Sequence, residues 1–229
     1  MPPDPVHTVT LTCHPETPTE AVRGIAARVS RTPGKLAVSY VLDGALDRLR
    51  VPAPRAPRIA DRLWQHTCCE IFVASKGMPA YYEFNLSPSG EWAACAFDGY
   101  RSRAGEARAE GLAPEIAVRG SASMLELDAV IRLDRLSKLR SGAPLVLALS
   151  AVVEDSDGDL SYWALRHPPG KPDFHHAEAF ALELAAPTTA AAALCDPSSG
   201  RRGPIPHPAP SESRHPAPRG STPRTGGKK

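Results

Sequence analysis

No apolar run in this sequence is long enough to cross a lipid bilayer. The longest one, residues 145–153, contains a serine and has the length of a buried strand. Residues 1–5 hold no basic stretch followed by an apolar one, so we expect no signal peptide. From these two absences we expect a cytoplasmic protein that does not interact with membranes.

The sequence also lacks the cysteine spacing of disulfide-rich or zinc-binding proteins. It has five cysteines, an odd number, and no CxxC motif. Cys68 and Cys69 are neighbours, and neighbours on a strand point to opposite faces of the sheet. We therefore expect reduced thiols, in keeping with a cytoplasmic location.

Signatures of the common catalytic sites are absent as well. There is no nucleophile elbow, no phosphate-binding loop and no HExxH helix. The acidic stretch at residues 155–159 resembles a calcium loop, but its glycine is misplaced for an EF-hand, and a hairpin turn is the better prediction. No enzyme class is indicated by a motif alone.

Proline and positive charge are concentrated near the end of the chain. Residues 187–229 hold nine of the 25 prolines and carry a net charge of +5, whereas residues 1–186 carry −3. Large apolar residues are almost missing after Leu194, so this segment cannot bury enough surface to offset its conformational entropy. We predict a disordered, solubilising tail, with no nucleic-acid binding beyond weak contacts through its basic residues.

Period-two alternation of apolar residues dominates residues 6–186, with turn signals at short intervals. Helical periodicity is convincing only at residues 134–140, where Asp134 is a candidate cap. About ten antiparallel strands joined by short turns predict a single all-β domain over residues 6–186. The expected architecture is a jelly-roll-like β-sandwich.

Two consecutive hairpins occupy the middle of the sequence, with strands predicted at residues 67–73, 80–86 and 91–97. Their turns, at residues 76–79 and 87–90, are rich in glycine and proline and have even lengths. Because both loops have an even number of residues, the apolar side chains of the strands fall on the same face of the hairpins, which we expect to face a core. Its members are Cys69, Ile71, Val73, Tyr82, Phe84 and Leu86, with Ala93 and Cys95 on the third strand.

The opposite face of these hairpins gathers polar and aromatic side chains. In the predicted register Glu70 lies across from Glu83 and Asn85, and Trp92 lies directly opposite Asn85. Two carboxylates, an amide and a large aromatic ring on one surface indicate a ligand site. A loop or bulge of odd length would move side chains to the other face and overturn this assignment.

A saccharide presents an apolar C–H face and a rim of hydroxyls. Its binding sites therefore combine a flat aromatic ring with carboxylate, amide or guanidinium groups. We expect Trp92 to stack on such a ligand and Glu70, Glu83 and Asn85 to bind its hydroxyls.

Further site residues are expected outside the hairpins. Trp64 and Trp163 are candidates for a second aromatic platform, with packing in the core as the alternative, and Arg166 is a candidate guanidinium. A loop that closes one end of the site is expected from three polar residues later in the chain, namely Asp173, His175 and His176.

Three blocks of sequence resemble a known family. They read LWQHTCCE at residues 63–70, YYEFNLSPSGEW at residues 81–92 and KPDFHH at residues 171–176. Over residues 6–186 the chain resembles the bacterial DOMON-like domain proteins, which are similar to family 9 carbohydrate-binding modules. The resemblance implies a β-sandwich that binds sugars in some branches of the superfamily and haem in others. We therefore predict a non-catalytic domain for a carbohydrate or a sugar-bearing metabolite.

Three other functions remain open. Haem needs two axial ligands on converging walls, and no pair is evident among the candidates His66, Met78, His175 and His176. A transition-metal site would use His66, Cys68, His175 and His176, whose spacing matches no recognised zinc motif. A glycosidase would use Glu70 and Glu83, which are close enough in the predicted register for a retaining mechanism. We expect no bound cofactor and no catalytic residues.

Overall fold

Strands joined by short turns make up nearly all regular structure in this protein. The computed structural model describes residues 5–104 and 109–187. Twelve strands lie within them: Val6–Cys13 (β1), Val22–Thr32 (β2), Lys35–Gly44 (β3), Cys68–Ser75 (β4), Tyr81–Leu86 (β5), Trp92–Gly99 (β6), Ser102–Arg103 (β7), Glu115–Gly120 (β8), Met124–Arg132 (β9), Leu145–Glu154 (β10), Leu160–Ala164 (β11) and Leu182–Leu184 (β12). Short 3-10 turns occur at Leu46–Arg48, Leu63–Gln65, Ala109–Leu112, Leu133–Arg135 and Ala177–Ala179. Among the described residues, no helix is long and apolar enough to cross a membrane.

The strands form two antiparallel sheets that share β1. The first sheet has the order β1-β2-β3-β9-β8, and the second has the order β7-β6-β5-β4-β10-β11. β12 pairs with the beginning of β10, beside the part of that strand that pairs with β11. β1 pairs with β2 over residues 6–11 and with β11 through Thr12 and Cys13, so it joins the two sheets at one corner.

Apolar side chains of the inner faces meet in one core. On β3 every second residue is buried, which places Leu36, Val38, Tyr40 and Leu42 inside. The Tyr40 hydroxyl crosses the core and donates a hydrogen bond of 2.7 Å to the backbone carbonyl of Glu70 on β4. The two sheets are thus linked by a buried polar contact as well as by packing.

The outer face of the second sheet is also covered. β10 is buried along almost its whole length, because a second apolar cluster packs on that outer face. This cluster combines Phe72, Tyr81 and Phe97 from the sheet with Phe174 and Ala179 from the segment after β11. The covering segment leaves part of the face open, and the polar hairpin residues lie there.

The predicted all-β sandwich is confirmed. The structure describes twelve strands where about ten were predicted, and β7 is too short, at two residues, to show alternation in the sequence. The helical segment predicted at residues 134–140 is wrong: a 3-10 turn forms at Leu133–Arg135, and Asp134 lies within it, paired with Arg132. The predicted hairpin turn at residues 155–159 forms, and Asp155 accepts three backbone N–H groups there. The predicted tail lies outside the described residues from residue 188 onward.

The predicted register is right for the first hairpin and wrong for the second. β4 and β5 pair as expected, with Glu70 opposite Asn85 and Ile71 opposite Phe84. Leu86 pairs with Trp92, however, so the second loop has five residues, 87–91, instead of four. Trp92 therefore points into the core, where only 4% of it is exposed. The prediction that Trp92 shares a face with Glu70 is wrong.

Glu91 explains the extra loop residue. Its carboxylate accepts hydrogen bonds from Arg58 Nε at 2.7 Å and from the Ser89 hydroxyl at 3.0 Å. The backbone of Trp92 in turn bonds Arg58 O and Ala60 N, both at 3.0 Å. The five-residue loop thus fastens the irregular segment that leads from β3 to β4, which carries Trp64.

Trp92 and Trp64 form a matched pair for testing this register. Trp92→Ala should lower the free energy of unfolding by about 3–5 kcal/mol, because it leaves a cavity in the core. Trp64→Ala should change it by less than about 0.5 kcal/mol, since that side chain is exposed. Urea unfolding of both variants measures the difference, and equal stabilities would contradict the register described for β6.

Candidate ligand-binding cleft

The floor of the candidate site is the outer face of β4 and β5. Alternation along these strands turns Glu70, Glu83 and Asn85 to this face, and all three are buried. Glu70 is paired directly with Asn85, while Glu83 is paired with Phe72, so the two carboxyl groups are diagonal neighbours on the sheet. The predicted grouping of two acids and an amide is therefore present.

A cleft of about 470 Å³ opens above this floor. Trp64, on the 3-10 turn at Leu63–Gln65, lines it, and 51% of this residue is exposed. Ala93 and Cys95 of β6 line the cleft as well, so the prediction that they face the core is wrong. The other walls come from the segment before β4, the β6–β7 region, β11 and the covering segment. They comprise Asp61, Arg62, Cys95, Phe97, Arg101, Arg103, Tyr162, Pro172, Phe174 and His175. The volume suits a small organic ligand, for which clefts of roughly 300–1,000 Å³ are usual.

Hydrogen bonds orient the amide and one acid on the floor. Asn85 Nδ2 donates to Glu83 Oε1 at 2.6 Å, and the Asn85 carbonyl oxygen faces the buried Cys68 thiol at 3.8 Å. The second oxygen of Glu83 lies 3.8 Å from His175 Nε2. One carboxyl oxygen of Glu83 is thus fixed by Asn85, and the other remains available to a ligand.

Both floor acids are shifted toward the protonated form. Burial, followed by the charge of Glu83, raises the pKa of Glu70 well above its usual value. Burial also raises the pKa of Glu83, although the hydrogen bond from Asn85 opposes that shift. Because the two groups are neighbours, ionising one makes ionising the other harder, and the pair titrates as a unit.

His175 is held neutral and in one tautomer. The Tyr81 hydroxyl accepts the backbone N–H of Arg101 at 3.2 Å and lies 2.8 Å from His175 Nδ1, while His175 Nε2 faces a carboxyl oxygen of Glu83, which accepts a hydrogen. We therefore assign the ring hydrogen to Nε2, which faces Glu83. Burial and the charge of Arg101 lower the pKa of His175 to about 4. His175 offers a neutral N–H donor to the cleft.

Asp173 fastens the covering segment to the turn after β6. It accepts hydrogen bonds from the Tyr100 hydroxyl at 2.6 Å, from Arg101 Nη2 at 2.7 Å and from the His175 backbone at 3.1 Å. Burial by itself would raise the pKa of Asp173, but these hydrogen bonds outweigh it and lower the pKa. Asp173 therefore contributes to the site by positioning His175 and Arg101.

The structure brings together only some of the residues predicted for the site. Trp64, Glu70, Glu83, Asn85 and His175 line the cleft, and Asp173 supports it. His176 instead accepts the backbone N–H of Glu178 at the start of a 3-10 turn. Trp92 and Trp163 are core residues, and Arg166 is exposed in a separate depression beside His14 and His167.

Several cleft residues escaped the sequence analysis. Arg101 and Arg103 follow a tight turn after β6, where Arg101 adopts a positive φ of 51° that no alternation pattern signals. Tyr162 reaches the cleft because β11 lies two strands away from β4 in the sheet. Only the pairing of distant strands reveals such residues.

Histidines and acids elsewhere form local contacts. His66 Nδ1 lies 2.7 Å from Glu154 Oε2, and Arg50 binds the other oxygen of that carboxylate at 2.8 Å. Among the described residues, no group of three or more histidine, cysteine, aspartate or glutamate side chains is arranged to hold a metal ion. The predicted set of His66, Cys68, His175 and His176 is therefore not assembled in this structure.

Comparisons with known proteins show the fold. No protein-family model matches the chain, and no curated protein matches it. A candidate carbohydrate-binding protein from Bacteroides uniformis is similar in structure with a TM-score of 0.56 and 16% identity, over 77% of this chain and 84% of that one. A family 9 carbohydrate-binding module from Caldicellulosiruptor kristjanssonii, in complex with cellotriose, has a TM-score of 0.56 and 11% identity, over 87% and 89%. The resemblance to DOMON-like domains stays a prediction.

Replacing Glu70 tests the electrostatics of the floor. A raised pKa in the folded state means that the folded protein binds more protons than the unfolded chain, so stability falls as the pH rises. Glu70→Gln removes this loss, and its free energy of unfolding should exceed that of the parent increasingly from about pH 5 to about pH 8. Chemical denaturation at several pH values measures the difference.

The matched control is Glu183→Gln, which alters an exposed acid paired with Lys76. Such surface pairs contribute about 0–1 kcal/mol, so this variant should change little over the same pH range. A Glu70→Gln variant whose stability relative to the parent falls as the pH rises would contradict the assignment of a raised pKa to Glu70.

Proposed function

We propose that this chain is a non-catalytic saccharide-binding domain whose ligand occupies the cleft on the outer face of the second sheet. The observation that carries the proposal is an exposed indole, Trp64, above a buried floor of two carboxyls and an amide. A flat apolar surface facing multidentate polar groups matches a sugar ring, which has an apolar face and a rim of hydroxyls.

Trp64 takes the stacking role expected earlier of Trp92. Half of Trp64 is exposed (51%), so its indole presents a flat apolar surface to the cleft that a sugar ring can cover. Its turn is anchored on both sides, since His66 binds Glu154 and Arg58 binds Glu91. The indole is thus presented by an ordered support.

The polar lining supplies both donors and acceptors for hydroxyl groups. Glu83 and Glu70 offer carboxyl oxygens, and His175 Nε2 offers a donor. Arg103 adds a guanidinium at the rim, where it donates to the Cys95 thiol at 2.7 Å and keeps further N–H groups available. Hydroxyls can both donate and accept, so this mixed lining satisfies them from several sides.

The fold supports the same proposal. The family 9 module that resembles this chain was solved in complex with cellotriose, which shows that a sandwich of this architecture accommodates a saccharide in that protein. Identity is too low for its binding residues to be transferred. The proposal therefore depends on the cleft residues of this chain.

Tryptophan fluorescence provides a direct test, because two of the three tryptophans, Trp92 and Trp163, are buried. Acrylamide should quench mainly Trp64, and a bound sugar should protect it. Trp64→Ala should weaken sugar binding in calorimetry at least about tenfold, equivalent to about 1.4 kcal/mol, while the fold stays intact.

Arg166→Ala is the matched control, because Arg166 is exposed outside the cleft. It should leave sugar affinity unchanged. If no mono- or oligosaccharide of a broad panel binds, or if Trp64→Ala binds as tightly as the parent, the proposed function is wrong.

A second candidate is a glycoside-processing enzyme, favoured by one observation. Glu70 and Glu83 are neighbouring carboxyls with raised pKa values, and a general acid in such enzymes needs a raised pKa. Aryl glycosides that release a chromophore would detect this activity. Turnover that is lost in Glu70→Gln would establish it, and a lack of turnover with bound sugar would favour the binding domain.

A further inference from the structure

Glu70 lies in the cleft floor without a charged partner. Only 3% of the residue is exposed, and within the described residues no arginine, lysine or histidine forms an ion pair with it. Ser150 on β10 is paired directly with Glu70, and a hydrogen bond from its hydroxyl partly offsets the rise in the pKa of Glu70. A buried carboxylate without a charged partner is costly, so a positively charged ligand group would stabilise the ionised form of Glu70.

Glu83 is not neutralised either. The nearest basic group in the described structure is His175 Nε2, at 3.8 Å, and this imidazole is neutral at physiological pH because burial lowers its pKa to about 4. Asn85 donates one hydrogen bond to Glu83 but carries no charge. Two adjacent acids therefore share the floor without a counter-charge in contact.

Two of the three arginines that line the cleft, Arg101 and Arg103, have other partners. Arg101 is bound by Asp173 at 2.7 Å. Arg103 donates to Cys95, whose thiol stays protonated because burial raises its pKa. The charges of Arg101 and Arg103 lower the pKa of the floor acids from a distance, but within the described residues neither guanidinium forms an ion pair with Glu70 or Glu83. Direct contact with the acid pair is therefore open to a cation from solution.

Aromatic rings surround the same space. Trp64, Phe97, Tyr162 and Phe174 all line the cleft. Aromatic faces attract cations, most strongly where water is excluded. An acidic floor beneath aromatic walls suits a compact positive charge better than a neutral hydroxyl.

We propose that the saccharide recognised in this cleft carries a protonated amine, which binds between Glu70 and Glu83. This inference rests on the proposed function and specifies its ligand as an amino sugar. An ammonium group has three N–H donors and meets oxygens of both carboxylates. Because the bound ammonium favours the ionised acids, a proton held by the acid pair leaves for solvent as the amine binds, and this release balances the charge of the bound amine.

Other titratable or charged groups surround the acid pair. Arg101 and Arg103 come from the turn after β6 and from β7, Cys68 and Cys95 from β4 and β6, Asp61 and Arg62 from the segment before β4, and His175 from the covering segment. Burial raises the pKa of both thiols and lowers that of His175, so these three stay neutral near pH 7. The proton released near neutral pH therefore comes from Glu70 and Glu83.

Calorimetry with matched sugars tests the inference. Glucosamine, glucose and N-acetylglucosamine differ at one carbon, and the galactose and mannose series offer the same comparison. In any series that binds, the amino sugar should bind at least about tenfold more tightly than both neutral sugars. A difference of about tenfold is what one charge-assisted hydrogen bond contributes to binding. Titration in two buffers of different ionisation enthalpy should show net proton release for the amine only.

Variants separate the acid pair from the rest of the site. Glu70→Gln and Glu83→Gln should each abolish the preference for the amine and the proton release, and circular dichroism checks that they fold. Glu183→Gln, remote from the cleft, should keep both. A preference that survives in both cleft variants would overturn the inference.

The remaining outcomes distinguish this inference from the proposed function. Neutral sugars that bind as tightly as amines would overturn the inference and leave saccharide binding intact. Ethanolamine binding as tightly as glucosamine would also overturn it, because the sugar ring would then contribute nothing. If no sugar of any series binds, both the proposed function and the inference fail.

Discussion

Antiparallel pairing of β4 between β5 and β10 is the constraint on which the site depends. It fixes which residues face the core and which face the cleft, since side chains alternate strictly along a strand. Glu70, Asn85 and Ser150 form one row across three strands on the outer face. A shift of one residue would bury the acids among the apolar side chains of the core, so the packing of Ile71 and Phe84 enforces the arrangement of the floor.

Much of this arrangement follows from sequence, because the first hairpin obeys local rules. Its alternation and its turn predict the pairing of Glu70 with Asn85, which the structure confirms. The second hairpin does not obey them, because burying the large side chain of Trp92 gains roughly 4–6 kcal/mol. That gain exceeds the roughly 1 kcal/mol span of strand propensities, so an extra loop residue is accepted. Nothing near Trp92 in the sequence indicates that Arg58 would bind Glu91.

The walls of the cleft are harder to predict than its floor. Arg101, Arg103 and Tyr162 belong to elements that meet β4 and β5 only after the whole sheet has formed. Asp173 and His175 are visible as polar residues in the sequence, but their roles differ: one binds the turn after β6, and the other faces the acids. The alternation of apolar residues and the residue types at turns predict which side of a strand each side chain occupies. Pairing between strands that are distant in sequence decides which of these sides become neighbours.

The link from Glu91 to Arg58 and Arg55 affects more than the loop in which it lies. Together with the bridge between Ile59 and Trp92, it restricts the freedom of the segment that carries Trp64 before any ligand arrives. Ordering a flexible side chain or loop at a binding site costs free energy that is subtracted from affinity. Here much of that ordering is accomplished during folding, so the same five-residue loop that places Trp92 in the core also preorganises the indole at the surface.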